Sequence, residues 1–160
     1  MNKILPILTL LFLFNCNSSA QKKKQDNPEN FKVIKTEAKW KAQLSDKEFY
    51  VLRKAGTERA FSSPLNKNYE AGIYVCKACE TPLFKSEHKF DSGTGWPSFD
   101  REIEGNIAFS TDYDLGYART EEHCATCGGH LGHVFNDGPR ETTGKRHCIN
   151  GVSLKFIPKK

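Results

Sequence analysis

The stretch Gly144-Lys145-Arg146-His147-Cys148-Ile149-Asn150-Gly151-Val152-Ser153-Leu154-Lys155-Phe156 reads as a strand from Arg146 onward. Side chains alternate along a strand, so Arg146, Cys148, Asn150, Val152, Leu154 and Phe156 are expected on one face. That face begins with a cation, a thiol and an amide and finishes as hydrophobic core. A guanidinium beside a thiol favours the charged form, so Arg146, with His147 next in the chain, is expected to lower the Cys148 pKa and make the sulfur a nucleophile. The competing reading is an inert core cysteine, since free cysteine is among the most buried residue types.

Working outward, two stretches could serve such a sulfur. Asp91-Ser92-Gly93-Thr94-Gly95-Trp96-Pro97-Ser98-Phe99 is a glycine-rich loop carrying an indole. His130-Leu131-Gly132-His133-Val134-Phe135-Asn136-Asp137 offers two imidazoles and a carboxylate. Each also has a structural reading: Trp96 as a core plug, and His130 or His133 as satisfied polar groups or as metal ligands.

The strongest spacing signal is the pair Cys76-Lys77-Ala78-Cys79 and Cys124-Ala125-Thr126-Cys127. Two C-x-x-C knuckles place four sulfurs where tetrahedral zinc needs them. The 44 residues between the pairs exceed a simple ribbon, so the site is expected to staple distant segments of a sheet. Two local disulfides are the alternative, at the cost of strained geometry. A four-thiolate set is coordinatively closed, which makes such a zinc structural. Of the six cysteines, four then go to metal and Cys16 goes with the N-terminal segment, leaving Cys148 unpaired.

The composition sets the frame. A chain of 160 residues holds one domain with a real core, expected to act as a monomer. Eleven Phe, five Tyr and two Trp against one Met give an aromatic interior suited to strands. The formal charge of +5 is concentrated at the ends: Lys3, Lys22, Lys23, Lys24, Lys159 and Lys160 account for six of the 24 basic residues, and the remaining 18 face 19 acidic ones. A near-neutral body argues against a nucleic-acid partner.

Residues 1–20 carry one cation, an apolar run over 4–14 and small or polar residues up to Ala20. Eleven apolar residues are too few for a bilayer span, which takes roughly 20, so the segment reads as an export signal. Cleavage after Ala20 competes with lipid attachment at Cys16, since Leu13-Phe14-Asn15-Cys16 resembles a bacterial lipoprotein box except for Asn15. The protein is therefore expected in the periplasm or attached to a membrane as a lipoprotein. Residues 21–35 read as a polar tether, with folding beginning near residues 31–37, and 36–158 as the domain. Its only Met is Met1, so none remains after export.

Trp40 and Leu44 fit a short helix, and Ser45-Asp46-Lys47-Glu48 is a capping box before a second one carrying Phe49, Leu52 and Ala55, with Gly56 as its stop. Short pieces at 72–76, 107–111, 115–120 and 134–135 join the last strand in an expected antiparallel sheet or open barrel.

Five ordered motifs now resemble one family, the B-type peptide methionine-R-sulfoxide reductases, over 36–157. They are Gly56-Thr57-Glu58-Arg59-Ala60-Phe61, the paired knuckles, Gly95-Trp96-Pro97-Ser98-Phe99, Gly129-His130-Leu131-Gly132-His133-Val134-Phe135 and Arg146-His147-Cys148-Ile149-Asn150. The resemblance implies two packed antiparallel sheets with short N-terminal helices and a structural zinc on Cys76, Cys79, Cys124 and Cys127, remote from the catalytic cysteine. It also implies thiol-dependent reduction of methionine-R-sulfoxide in proteins or peptides, with Cys148 attacking sulfur and becoming a sulfenic acid. In that scheme His133 is the acid or water-orienting group. His130, Asp137 and Asn150 polarise the sulfoxide, Arg146 stabilises the thiolate, and Trp96 with Phe135 receives the methyl group. Many relatives carry a resolving cysteine where this chain has Thr94. With no other free thiol, the sulfenic acid is expected to wait for an external reductant, thioredoxin-like or a small thiol. The other reading is a non-catalytic zinc-stapled β module that binds a peptide or other ligand, with zinc-ribbon nucleic-acid binding behind it.

Overall fold

The computed structural model describes residues 31–160. The expected export signal, Cys16 and the first part of the expected tether lie outside the described residues. Of that tether, Phe31 sets its ring edge-on to His123 and the Val33 amide donates to the Thr126 carbonyl at 2.9 Å, so residues 31–33 lie against the second cysteine knuckle.

Helix α1 (Glu37–Gln43) starts at Thr36, whose hydroxyl accepts the Lys39 amide, and ends at Leu44. Helix α2 (Asp46–Lys54) starts on the expected capping box: Ser45 accepts the Glu48 amide, and the Glu48 carboxylate accepts the Ser45 amide. Its end differs from expectation. Ala55, at φ 53°, takes the left-handed position, and Gly56 follows with its amide on the Tyr50 carbonyl. A Cβ at 56 would lie 2.2 Å from the ring of Tyr50, an exposed side chain that would have to turn aside.

The rest is mainly β. One sheet has β1 (Gly72–Cys76) between β2 (Pro82–Lys85) and β9 (Leu154–Pro158), all antiparallel. The other runs β3 (Lys89–Phe90), β4 (Ser98–Phe99), β8 (Arg146–Ile149), β7 (His130–Phe135), β6 (Arg119–Cys124) and β5 (Ile107–Asp112), again antiparallel throughout. The described ladders form two sheets and do not close into a barrel. Between them lie Tyr74, Phe84, Phe99, Leu131 and Ile149, all fully buried, with Phe84 stacked on Phe99 at 4.2 Å between ring centroids. Leu52 and Trp40 bring the helices onto the same core. No helix among the described residues is long and apolar enough to cross a membrane.

Two expected strands are redrawn. Residues 115–118 form the tip of a hairpin, because the Asp112 carboxylate caps the Asp114 amide and Gly116, at φ 81°, turns the chain back to the Tyr113 carbonyl. The strand that begins at Arg146 stops at Ile149. The buried carboxylate of Glu58 accepts the amides of Gly151 and Val152, which takes them out of any ladder, and a 3₁₀ turn (Gly151–Ser153) carries the chain across to the other sheet. Leu154 and Phe156 therefore do not extend the Cys148 face.

Candidate active site

Register brings the reactive groups together. Cys148 of β8 stands opposite His133 of β7 and Ser98 of β4, and His133 in turn opposite Glu121 of β6. Directly opposed side chains have Cβ atoms roughly 5 Å apart, so these four share one face of the sheet. Over it opens a cleft of about 140 Å³ lined by Trp96, His133, Phe135, Cys148 and Asn150, five of the residues singled out from sequence. Thr57, Gly132 and Arg119 complete the lining.

The indole of Trp96 is held at the rim by its N–H, which donates to the Glu58 carbonyl at 3.1 Å. Asn150 is nearly sealed: its Oδ1 accepts the Glu58 amide at 2.9 Å and its Nδ2 donates to the Leu131 carbonyl at 3.0 Å. Its amide thus ties the segment 57–58 and β7 to the end of β8. Arg146 forms a bidentate pair with Asp137, both contacts at 2.9 Å, and lies over the Phe135 ring at 4.5 Å. Asp137 is exposed and outside the cleft, and the guanidinium keeps its carboxyl below the usual range. His130 also lies off the cleft lining, buried with Nδ1 2.7 Å from Glu121 Oε1 and its ring edge-on to His133.

The charge state of Cys148 differs from expectation. Burial pushes the thiol above its ordinary value; Arg146 and a hydrogen bond to Thr94 pull it down, and the Glu122 charge adds a further upward push. Burial prevails, which favours the neutral thiol over the thiolate. His147 contributes nothing to the cleft face: it points to the opposite side, fully buried, with Nδ1 2.6 Å from Glu122 Oε1 and Nε2 3.1 Å from Glu102 Oε2. In a strand, the next residue faces away.

Sequence reasoning did not single out Asp112 and Arg119. Asp112 pairs with His133 Nε2 and with the Arg119 guanidinium at 3.0 Å. Burial would raise the Asp112 carboxyl, but His133, the Asp114 amide and Arg119 together hold it at about 2. A carboxylate on Nε2 fixes the proton there, so the neutral ring offers Nδ1 as an acceptor. Burial lowers the His133 pKa against the upward pull of Asp112. The signal for this pair was the register: Asp112 opposes Arg119 across the β5–β6 turn.

The four knuckle cysteines form a second centre, their sulfurs all within 4.8 Å of one another. Both knuckles turn the same way. The Glu80 amide returns to the Cys76 carbonyl and the Gly128 amide to the Cys124 carbonyl, each at 2.8 Å, with φ of 61° at Glu80 and 67° at Gly128. The sulfurs approach across the knuckles, 3.5 Å for Cys79 with Cys124 and 3.8 Å for Cys76 with Cys127, far beyond the roughly 2.05 Å of a disulfide. Through their mutual hydrogen bonds Cys76 and Cys127 are pushed up while Cys79 and Cys124 are pulled down, Cys124 to about 7. A cation is what allows all four to ionise together, and the donor set fits a soft tetrahedral metal.

The SelR domain family model matches residues 44–158. A peptide methionine sulfoxide reductase MsrB of Leptospira interrogans is 50% identical over 128 residues, covering 79% of this chain and 97% of the relative. One from Herminiimonas arsenicoxydans is 52% identical over 126 residues, 78% of this chain and 91% of the relative. The mitochondrial methionine-R-sulfoxide reductase B3 of Mus musculus is 47% identical over 131 residues, 81% of this chain and 51% of that protein.

Proposed function

The chain belongs to the SelR-domain family of methionine-R-sulfoxide reductases, and from that premise we propose that Cys148 is the nucleophile that performs the reduction. The carrying observation is that Cys148, His133 and Trp96 share one cleft, with His133 directly across the ladder from the sulfur.

A neutral thiol suits the proton balance of this reaction. The Cys148 S–H and the sulfoxide R₂S=O give Cys148–SOH and the thioether R₂S, so no proton is gained or lost overall. The thiol proton must move from sulfur to the departing oxygen. His133, with its Nε2 proton fixed by Asp112, accepts it at Nδ1 and returns it to that oxygen, acting first as base and then as acid. Arg146 favours the thiolate formed in between, and Asp137 and Phe135 hold the guanidinium in place. The Trp96 ring and Phe135 receive the S-methyl group, for which aromatic faces are suited. Asn150 is a positioning residue, since both ends of its amide are committed to backbone. The R handedness at sulfur follows from the family.

Two external thiols then return Cys148–SOH to the thiol, releasing water and their disulfide. The donor is thioredoxin-like or a small thiol, since the remaining free cysteines among the described residues form the metal cluster. Cys76, Cys79, Cys124 and Cys127 would hold a zinc ion, which would supply a structural link between the segments that carry them. The substrate is an oxidised protein or peptide, and the enzyme works as a monomer with no nucleic-acid partner. The apolar run at 4–14 supports export, followed either by release after Ala20 or by a lipid on Cys16. The N-terminal mass of the mature protein distinguishes these.

The test is turnover on a peptide carrying each methionine sulfoxide epimer, with dithiothreitol as reductant. Wild type reduces the R epimer. Cys148→Ser loses activity by on the order of 10³-fold or more while metal content and fold are kept. Undiminished turnover in that variant would overturn the assignment.

A further inference from the structure

Thr94 heads a row of hydroxyls that runs from the nucleophile into the protein. Its Oγ1 lies 4.0 Å from Cys148 Sγ and 2.8 Å from Ser92 Oγ. Ser92 Oγ lies 2.7 Å from Ser98 Oγ, and Ser98 Oγ donates to the Trp96 carbonyl at 3.1 Å. The loop that carries the row is fixed at its entry, where Asp91 accepts the Gly93 amide and pairs with Lys67, and at its exit, where Ser98 pairs with Cys148 in the ladder.

Each hydroxyl has one proton to give. The Trp96 carbonyl can only accept, and in one arrangement Ser98 gives its proton to it. Ser92 must then donate to Ser98, and Thr94 to Ser92. Only lone pairs of Thr94 remain for Cys148, so in this arrangement Thr94 accepts from a thiol. It has nothing to offer a thiolate. Support for the charged sulfur requires the reverse direction: Thr94 donates to Sγ, Ser92 to Thr94 and Ser98 to Ser92, while the Trp96 carbonyl gives up its partner.

We propose that Thr94 is a positioning residue whose hydroxyl row, through Ser92 and Ser98, reverses direction as Cys148 passes from thiol to thiolate, and so lets a half-buried sulfur ionise. This rests on the reading of Cys148 as nucleophile. The proton itself does not travel along the row, whose inner end is a carbonyl unable to pass it on. It leaves on the cleft side, where His133 stands opposite. The charged and titratable groups around the sulfur are Arg146 on its own strand, His133 from β7 with Asp112 of β5 behind it, and Arg119, Glu121 and Glu122 from β6, while β4 presents the uncharged Ser98. Those groups set a background for both states. The hydroxyl row is the part whose direction depends on the sulfur.

The experiment measures the rate of Cys148 alkylation by iodoacetamide against pH in the full-length, zinc-loaded protein, read on the Cys148 peptide by mass spectrometry. Thr94→Val moves the midpoint upward by about one pH unit and slows labelling at neutral pH by roughly tenfold, the effect of removing one hydrogen bond to a charged acceptor. Thr94→Ala removes the hydroxyl without a branched replacement and shifts the midpoint the same way, and Thr94→Ser restores the wild-type midpoint. The proposal is overturned when Val and Ala both titrate with wild type, or when Ser shifts as far as Val. Labelling needs no turnover, so activity surviving in Cys148→Ser would sink the catalytic reading while leaving these midpoints to judge the hydroxyl row separately.

Discussion

Burial and a guanidinium act on Cys148 in opposite directions, and at the scale of single residues that contest sets the chemistry. The thiol sits above its ordinary value even with Arg146 close by, so reactivity should rise with pH through and beyond the usual cysteine range. Arg146 lowers the Cys148 value, so removing it must raise that value further. Arg146→Ala is expected to move the alkylation midpoint up by about one further unit, and Arg146→Lys to recover part of the shift. Lysine restores the charge but not the bidentate grip of Asp137 or the flat contact with Phe135. An unchanged midpoint in the alanine variant would mean that the guanidinium serves packing alone. Arg146 and Cys148 were legible as partners because they are two apart in a strand. Asp112 was not legible as a partner of His133, since the two are 21 residues apart and meet only through the β5–β6–β7 register.

At the scale of elements, the seam between β7 and β8 places Cys148. Gly132 pairs with Ile149, and a Cβ at Gly132 would lie 2.0 Å from the Cys148 carbonyl oxygen. The contact is with backbone, so no side-chain rotation can relieve it, and the strands must part. Gly132→Ala is expected to cost about 1–3 kcal/mol in denaturant unfolding and to lower kcat through displacement of Cys148 from His133. Full activity with unchanged stability would show that the seam has slack. The helix starts were readable because capping is local: Ser45 and Glu48 satisfy each other three residues apart. The break after Ile149 was hidden, since its cause is Glu58, which captures the Gly151 and Val152 amides from more than 90 positions away.

For the molecule as a whole, the four-cysteine cluster links the end of β1 in one sheet to the β6–β7 turn of the other. A chelator strong enough to strip the metal should lower the thermal midpoint by on the order of 10 °C, a few kcal/mol for a domain of this size, and Cys79→Ser should do the same without chelator. One zinc per chain is the expected content. A protein without zinc and with the same midpoint would refute the structural role.

The sequence alone determined the β class, the helix caps, the metal-type cysteine set, the unpaired thiol and the family, because each is carried by short-range spacing that survives without knowledge of the fold. The tertiary structure decided the burial that pushes the Cys148 thiol upward, the Asp112 and Arg119 support behind His133, the burial of His147 on the reverse face and the crossing of the last segment between sheets. Those depend on desolvation and on partners brought together from distant positions, and neither is written in the spacing of neighbouring residues.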